Sequence, residues 1–353
     1  MIIKSMARAM VTFTIIVILV SNVLAANNSL KLAYLIPWSR GWKMGPYIGS
    51  AFLLGIESVK ERQLLPGYEI EWTWSDTQCE PLRGIKMAVE TWNKMNGLDG
   101  IIGDGCSIIC ESVSLLASAW GIPMISWGCA SPILSDKKMH PTLTRTLGPW
   151  SNLAPMFNTI ADQFGWNRVG VICDHTDLTR ITAEATKKEM ESAGKTVFFY
   201  IIEQTMNGKV INPVAYKKQK QIVRSMKNLV RVLFIITYAY DARNILISAY
   251  DEGMLTEGYA YICMDIAFLK EPNPTFTFRP ELGKFLFDGV IIGTPFKPAG
   301  KEWDEFARQV IDSFDHPAFE DVEHLPPTAQ TSEVESFGGI LTKICLAGCL
   351  PAY

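Results

Sequence analysis

Apolar positions along this chain fall in two alternating rhythms. Leu30–Ile36 is a nearly continuous apolar run, as a parallel strand covered on both faces is, and a loop begins at Pro37-Trp38-Ser39-Arg40-Gly41. Ile48, Phe52, Gly55 and Val59 then share one stripe, which predicts a helix over Pro46–Arg62, closed by Leu65-Pro66-Gly67. Tyr68–Trp74 alternates apolar with polar residues and predicts a strand with one wet face near a sheet edge. Pro81–Asn96 reads as a helix through Ile85, Ala88, Val89, Trp92 and Met95. Asp99–Gly103 then reads as a strand, Gly103-Asp104-Gly105-Cys106-Ser107 as a turn, and Ile109, Val113, Leu116, Ala117 and Trp120 as one face of a helix stopped by Gly121. A short apolar run at Ile122–Ser126 and another segment at Pro141–Thr146 complete a βαβ unit.

After Pro149 the alternation restarts. A helix from Ser151, a strand Arg168–Cys173, a helix Thr179–Ala193 and a strand Thr196–Ile202 are predicted in turn. A charged helix Pro213–Lys227, a strand Arg231–Ile236, a helix Asp241–Glu252 and a strand Tyr259–Met264 follow. Strands alternating with helices imply parallel sheets with right-handed crossovers, and the break near Thr146–Trp150 implies two of them side by side. The expected fold is α/β, two doubly wound parallel-sheet lobes with a cleft. From Pro272 prolines interrupt the order, although Gly289–Thr294 reads as a strand and Trp303, Phe306 and Val310 as a helix face.

A net charge of −3 gives no reason to expect nucleic acid as a partner. Residues 1–25 combine Lys4 and Arg8, an apolar Val11–Val20 and small residues near Ala25, the pattern of a secretory signal peptide. An uncleaved anchor is the competing reading, but the apolar core is well short of the roughly 20 residues that a span needs. Secretion permits disulfides, and all eight cysteines lie beyond residue 25. Asn27-Asn28-Ser29 is a glycosylation sequon on Asn27, whereas Asn273-Pro274-Thr275 is blocked by its proline.

Four scattered histidines have no metal-ligand spacing, so no metal site is expected. The pairs Cys106/Cys110 and Cys345/Cys349 are spaced wrongly for Cys-x-x-Cys chemistry, and Cys110 reads as a buried apolar residue. Gly103-Asp104-Gly105 lacks the third glycine of a dinucleotide fingerprint, since Ile108 stands there. Its backbone amides at a helix start still attract an anion. Cys79 and Cys106 close neighbouring predicted strands, and a bridge between them would restrict the unfolded chain by about 3.5 kcal/mol. Trp38, Ser126, Trp127, Asp174, Tyr238 and Asp265 fall just after strand ends, where open α/β sheets bind ligands, and together outline a candidate cleft.

Several segments in order carry a resemblance: Leu65-Pro66-Gly67-Tyr68, Ser75-Asp76-Thr77-Gln78-Cys79, Ile102-Gly103-Asp104-Gly105-Cys106, Pro141–Thr146, Phe164-Gly165-Trp166 and Tyr261-Ile262-Cys263-Met264-Asp265. Together they resemble the extracellular ligand-binding region of natriuretic-peptide-type receptor guanylate cyclases, over about residues 30–315. The resemblance implies a type I periplasmic-binding-protein-like fold, with lobe 1 over 26–146, lobe 2 over 147–265 and a return to lobe 1 over 266–332. It implies a peptide hormone bound between two copies of the chain, hence a homodimer. It also implies a possible chloride held by the Gly105 and Cys106 amides and the Ser75 hydroxyl, beside a Cys79–Cys106 disulfide. No pairing is implied for Cys173 and Cys263.

Beyond about Ser332 the likeness stops, so 333–353 reads as a divergent, truncated tail. The expectation is therefore a non-catalytic receptor ectodomain, extracellular or at the cell surface. The alternative is a sensor holding an amino-acid-like molecule in the cleft.

Overall fold

The computed structural model describes residues 28–39, 45–207, 210–264, 279–282, 284–293 and 300–313. The signal-peptide segment, Asn27, Asp265, Cys345, Cys349, His316, His324 and the tail 333–353 lie outside the described residues.

Lobe 1 begins with β1 (Asn28–Ile36), α1 (Gly45–Glu61), β2 (Tyr68–Asp76) and α2 (Pro81–Lys94). It continues through β3 (Gly100–Ile102), α3 (Ser107–Trp120), β4 (Met124–Ser126) and β5 (Leu143–Arg145). The five strands form one sheet in the order β2-β1-β3-β4-β5, and every pairing is parallel. β2 is an edge strand, which is why its pattern alternates. β1 is covered on both sides: Ala33 and Leu35 join Ile101, Ile109 and Val113 on one face, while Tyr34 and Ile36 join Ile48, Phe52 and Trp127 on the other.

The chain enters lobe 2 through α4 (Ala154–Gln163), β6 (Arg168–Asp174), α5 (Asp177–Ser192) and β7 (Thr196–Ile202). A two-stranded antiparallel ribbon follows, β8 (Met206–Asn207) with β9 (Val210–Ile211). Then come α6 (Pro213–Met226), β10 (Val232–Ile236), α7 (Ala239–Asp251), β11 (Ala260–Met264) and β12 (Ile291–Gly293). The second sheet runs β12-β11-β10-β6-β7, again all parallel. Phe157, Val171, Cys173, Phe234 and Met190 fill one side, and Ile172, Leu233, Ile235, Ala242 and Cys263 the other.

The last described helix, α8 (Lys301–Asp312), packs on α1, and its Trp303 and Val310 belong to the same core as Tyr34. The Ser50 hydroxyl donates to the Ser313 carbonyl at 3.1 Å. The chain therefore passes through lobe 2 and comes back. The first crossing is pinned to lobe 1 by the Thr146 amide on the Ser126 carbonyl and the Trp150 amide on the Ala130 carbonyl, each 3.0 Å. Helix α5 of lobe 2 rests on the short 3-10 turns Pro132–Ser135 and Trp150–Leu153.

Both sheets have the same kind of topological switch. In lobe 1 the chain leaves β1 to one side for β2 and returns to the other side for β3; in lobe 2 it does the same about β6, with β7 and β10. A crevice opens at the carboxyl end of such a strand pair. The residues around those two points are the ones with chemistry.

Tyr34 illustrates the packing of lobe 1. Its ring stacks on Phe52 with centroids 4.1 Å apart, while its buried hydroxyl has no hydrogen-bond partner. An unmade buried hydrogen bond is costly, so Tyr34→Phe is expected to stabilise the chain by about 1 kcal/mol. A denaturant titration reads this as a higher midpoint, and a lower midpoint would mean that the hydroxyl is bonded.

Candidate functional site

At the switch point of lobe 1, Asp104 follows β3 and is fully buried. Its Oδ1 accepts the Cys106 amide at 2.7 Å, and its Oδ2 accepts the Thr77 hydroxyl. The carboxylate thus holds the amide of Cys106, the residue just before α3, near the helix start where negative charge is favoured. Burial pushes the Asp104 carboxyl from its ordinary 3.8 up to about 7, against the opposing pull of the Cys106 amide and Thr77. The turn's pattern attracts an anion, and the structure puts the chain's own carboxylate inside it; an aspartate between two glycines at a strand end is the sequence signal for that.

The loops around Asp104 are stitched together. Cys79, after β2, is bonded to Cys106, and Cys110, on the first turn of α3, is bonded to Cys129, after β4. The second bridge corrects the reading of Cys110 as a plain apolar residue: both cysteines border neighbouring strand ends, and helical burial concealed the partner. Asp76 ties the loop after β1 to the end of β2 by accepting the Trp38 amide at 2.8 Å and the Gln78 amide at 3.0 Å, together with the Ser39 hydroxyl. Although burial opposes it, these bonds from Ser39, Trp38 and Gln78 hold the Asp76 carboxyl below its usual range. Arg145 donates to the carbonyls of Cys129 and Ser131 at 3.0 and 2.8 Å and fixes the loop after β4.

Three of the six cleft candidates are inside this knot rather than open to the cleft. Ser126 is fully buried, donates to the Asp104 carbonyl at 2.8 Å and receives the Cys129 amide at 3.0 Å. Trp38 and Trp127 are both buried and belong to the core that contains Tyr34. The Trp127 ring lies against the Gly105 α-carbon so closely that a Cβ there would stand 2.1 Å from it, which is why residue 105 is glycine. Ser75 sits on β2, half-buried and paired with Leu35 in the ladder. A chloride on Ser75, Gly105 and Cys106 would share the Cys106 amide with a buried carboxylate, and two anions do not fit there side by side without a proton.

At the switch point of lobe 2 the corresponding residue is Asp174, also fully buried, at the end of β6. Its Oδ1 accepts the Thr176 amide at 2.7 Å and the Thr179 hydroxyl at 2.8 Å. Its Oδ2 has no hydrogen-bond partner. Across the crevice Tyr238 precedes α7 and is 42% exposed. Desolvation of its phenol, followed by the charge of Asp174, raises it to about 12. Asp241, on the first turn of α7, accepts the Thr205 amide at 2.8 Å, and Asn244 donates to the Thr205 hydroxyl at 2.7 Å, which holds the loop after β7. Burial raises the Asp241 carboxyl, and Asp174 adds to that. Glu111 of α3 faces this region from lobe 1: burial raises its carboxyl and the charge of Asp177 contributes.

Residues 48–332 match the family described as the receptor family ligand binding region. The chain belongs to that family. Its two five-stranded parallel α/β lobes are those of a periplasmic-binding-protein-like receptor domain. The Resact receptor of Arbacia punctulata is 28% identical over 215 residues, 60% of this chain and 21% of that protein. Gamma-aminobutyric acid type B receptor subunit 1 of Mus musculus is 25% identical over 236 residues, 67% of this chain and 23% of that one. Guanylate cyclase 32E of Drosophila melanogaster is 33% identical over 127 residues, 34% of this chain and 10% of that one. The ligand-binding region therefore spans less than a quarter of each of these relatives, among which are receptor guanylate cyclases. Domains of this family bind ligands and are not catalytic. No helix among the described residues is long and apolar enough to cross a membrane.

Cys173 and Cys263 are free buried thiols, and burial pushes each up to about 12. They are not a missing bridge: Ile172 and Cys263 both pair with Ile235 of β10, so Cys263 shares a face with Ile172 and Cys173 points to the other.

Because the folded Asp104 holds its proton far above pH 3.8, its stabilising contribution is fully present below that value and is lost as pH rises through about 7. Thermal midpoints of the wild-type chain are expected to fall between about pH 5 and about pH 8 more steeply than those of Asp104→Asn. Parallel profiles would show that Asp104 does not titrate in this window.

Proposed function

We propose that this ligand-binding region is the extracellular, hormone-recognising part of a receptor of the guanylate cyclase type, and that its ligand is a peptide held between two copies of the chain. The ordered motifs shared with receptor guanylate cyclases support the class. The observation that carries the dimer is an apolar surface on two neighbouring helices of lobe 1: Leu82 and Val89 of α2, 83% and 36% exposed, and Ile108 and Leu115 of α3, 52% and 41% exposed. Each pair is one heptad apart, so each forms an outward stripe, and such stripes on packed helices suit a self-complementary contact. Ligand action would then be a change in how two ectodomains are related, with no bond made or broken.

A chloride at Ser75, Gly105 and Cys106 belongs to this reading on one condition. It has to take the Cys106 amide from Asp104, so its binding is expected to go with protonation of that carboxyl.

One observation favours a second reading, an amino-acid-like molecule in the interlobe cleft. Asp174, with its unpartnered oxygen, and the partly exposed Tyr238 flank the lobe 2 switch point. Under the peptide reading Leu82→Asp combined with Ile108→Asp is expected to convert a dimer to a monomer in sedimentation analysis and to reduce ligand binding at least about tenfold, while Tyr238→Ala spares binding. Binding abolished by Tyr238→Ala and indifferent to the double variant selects the cleft instead.

A further inference from the structure

The amino end of the lobe 2 sheet, opposite the strand ends that border the cleft, brings cations together without counterions. Val169, Val232 and Ala260 are partners across β6, β10 and β11, so Arg168, Arg231 and Tyr259 stand side by side one step before them. By the alternation of a strand all three share the face of Leu233 and Tyr261. Both arginines are exposed. Neighbouring strands lie about 4.8 Å apart, and like charges set opposite one another at that spacing repel.

Each guanidinium is held in place by uncharged groups. That of Arg168 lies 4.6 Å from the centre of the Phe198 ring, and that of Arg231 lies 4.6 Å from the centre of the Tyr259 ring. Arg168 Nε donates to the Leu229 carbonyl at 2.5 Å, while Arg231 Nη1 donates to the Lys227 carbonyl at 2.8 Å and to the Tyr259 hydroxyl. Both therefore converge on one turn, between α6 and β10, whose carbonyls they cap. Lys227 directs its own ammonium to the Glu252 carbonyl at 2.5 Å, and the Glu252 carboxylate lies with Arg224 at 3.4 Å. Among the described residues no carboxylate pairs with Arg168, Arg231 or Lys227, and neither Nη of Arg168 nor Nη2 of Arg231 has a hydrogen-bond partner.

We propose that Arg168 and Arg231 form a clamp for a dianionic phosphoryl group, either free phosphate or a phosphate monoester. A tetrahedral oxyanion has enough acceptor positions to take the unengaged N–H groups of both forks at once, and guanidinium is the cation whose planar fork matches it. The bound dianion offsets the repulsion between the two arginines. Their bonds to the Lys227 and Leu229 carbonyls stay in place, so the turn need not rearrange to receive it. The clamp lies at the other end of the strands from the cleft and does not depend on which ligand the receptor recognises there.

Inorganic phosphate and methyl phosphate are the probes, with chloride as the control at equal ionic strength, added to the full chain labelled with nitrogen isotope in its arginines. At about pH 8 both probes are dianions. Saturable shifts of the Arg168 and Arg231 side-chain N–H resonances are expected with phosphate and none with chloride. Methyl phosphate binding as tightly as phosphate assigns the clamp to an ester-borne group, and phosphate binding alone assigns it to the free ion. Arg168→Lys and Arg231→Lys keep the charge but lose the fork, and each is expected to weaken phosphate at least about tenfold. Lys217→Gln, which removes an exposed charge on α6, is expected to leave binding unchanged. If the arginines serve only to cap the turn, no resonance responds in a saturable way; that result, an equal response to chloride, or undiminished binding in a folded lysine variant would overturn the proposal. The wild-type titration decides the matter even where a variant does not fold.

Discussion

Lobe 1 depends on one buried carboxylate. Asp104 sits where β1 and β3 part, a position at which the topology opens a crevice and the start of α3 presents unpaired amides. An ionisable group buried there is costly unless it is hydrogen-bonded. The chain answers with the Cys106 amide and the Thr77 hydroxyl, and with two disulfides that keep the loops carrying those partners in place. Ser126, Arg145 and Asp76 extend the same network to the loops after β1, β2 and β4. The carboxyl end of the lobe 1 sheet is consequently a closed polar knot, roofed by Trp127 on Gly105.

Lobe 2 has the same topology without the closure. Its loops carry no disulfide among the described residues, and its aspartate has one oxygen free. The loops of lobe 1 are thus cross-linked and those of lobe 2 are not, and the described crossing between them is pinned to lobe 1. In such a domain a ligand shifts an equilibrium between two arrangements only by making different contacts in each. Such a mechanism suits a family that binds ligands and leaves catalysis to other parts of a receptor.

Much of this was legible in the residues. The strand and helix periods of both lobes are strong because parallel strands buried on two faces read as continuous apolar runs, and Leu30–Ile36 lies within β1 (Asn28–Ile36). The break at Thr146–Trp150 also marks the crossing. The ribbon of Met206–Asn207 with Val210–Ile211 leaves no period along the sequence, because its strands are two residues long, and Asn207-Gly208 is its one hairpin signal. The site was harder. Proximity to a strand end singled out Trp38, Ser126 and Trp127, yet it does not tell a side chain facing the crevice from one folded back into the core. Cys110 and Cys129 were unreadable as a pair because only the crossing of α3 over the sheet brings them together. Asp174 and Tyr238 were legible as positions; the free oxygen that separates Asp174 from Asp104 depends on three-dimensional partners alone.

The contrast between the cross-linked edge of lobe 1 and the uncross-linked edge of lobe 2 is open to direct measurement by amide hydrogen exchange on the full chain without ligand. The amides of Cys106 and Cys129, held by Asp104 and Ser126, are expected to exchange at least about 100-fold more slowly than those of Tyr238 and Ala239 at the start of α7. Comparable rates at the two edges would contradict the account, since the disulfides and the Asp104 network would then fix lobe 1 no more than lobe 2 is fixed.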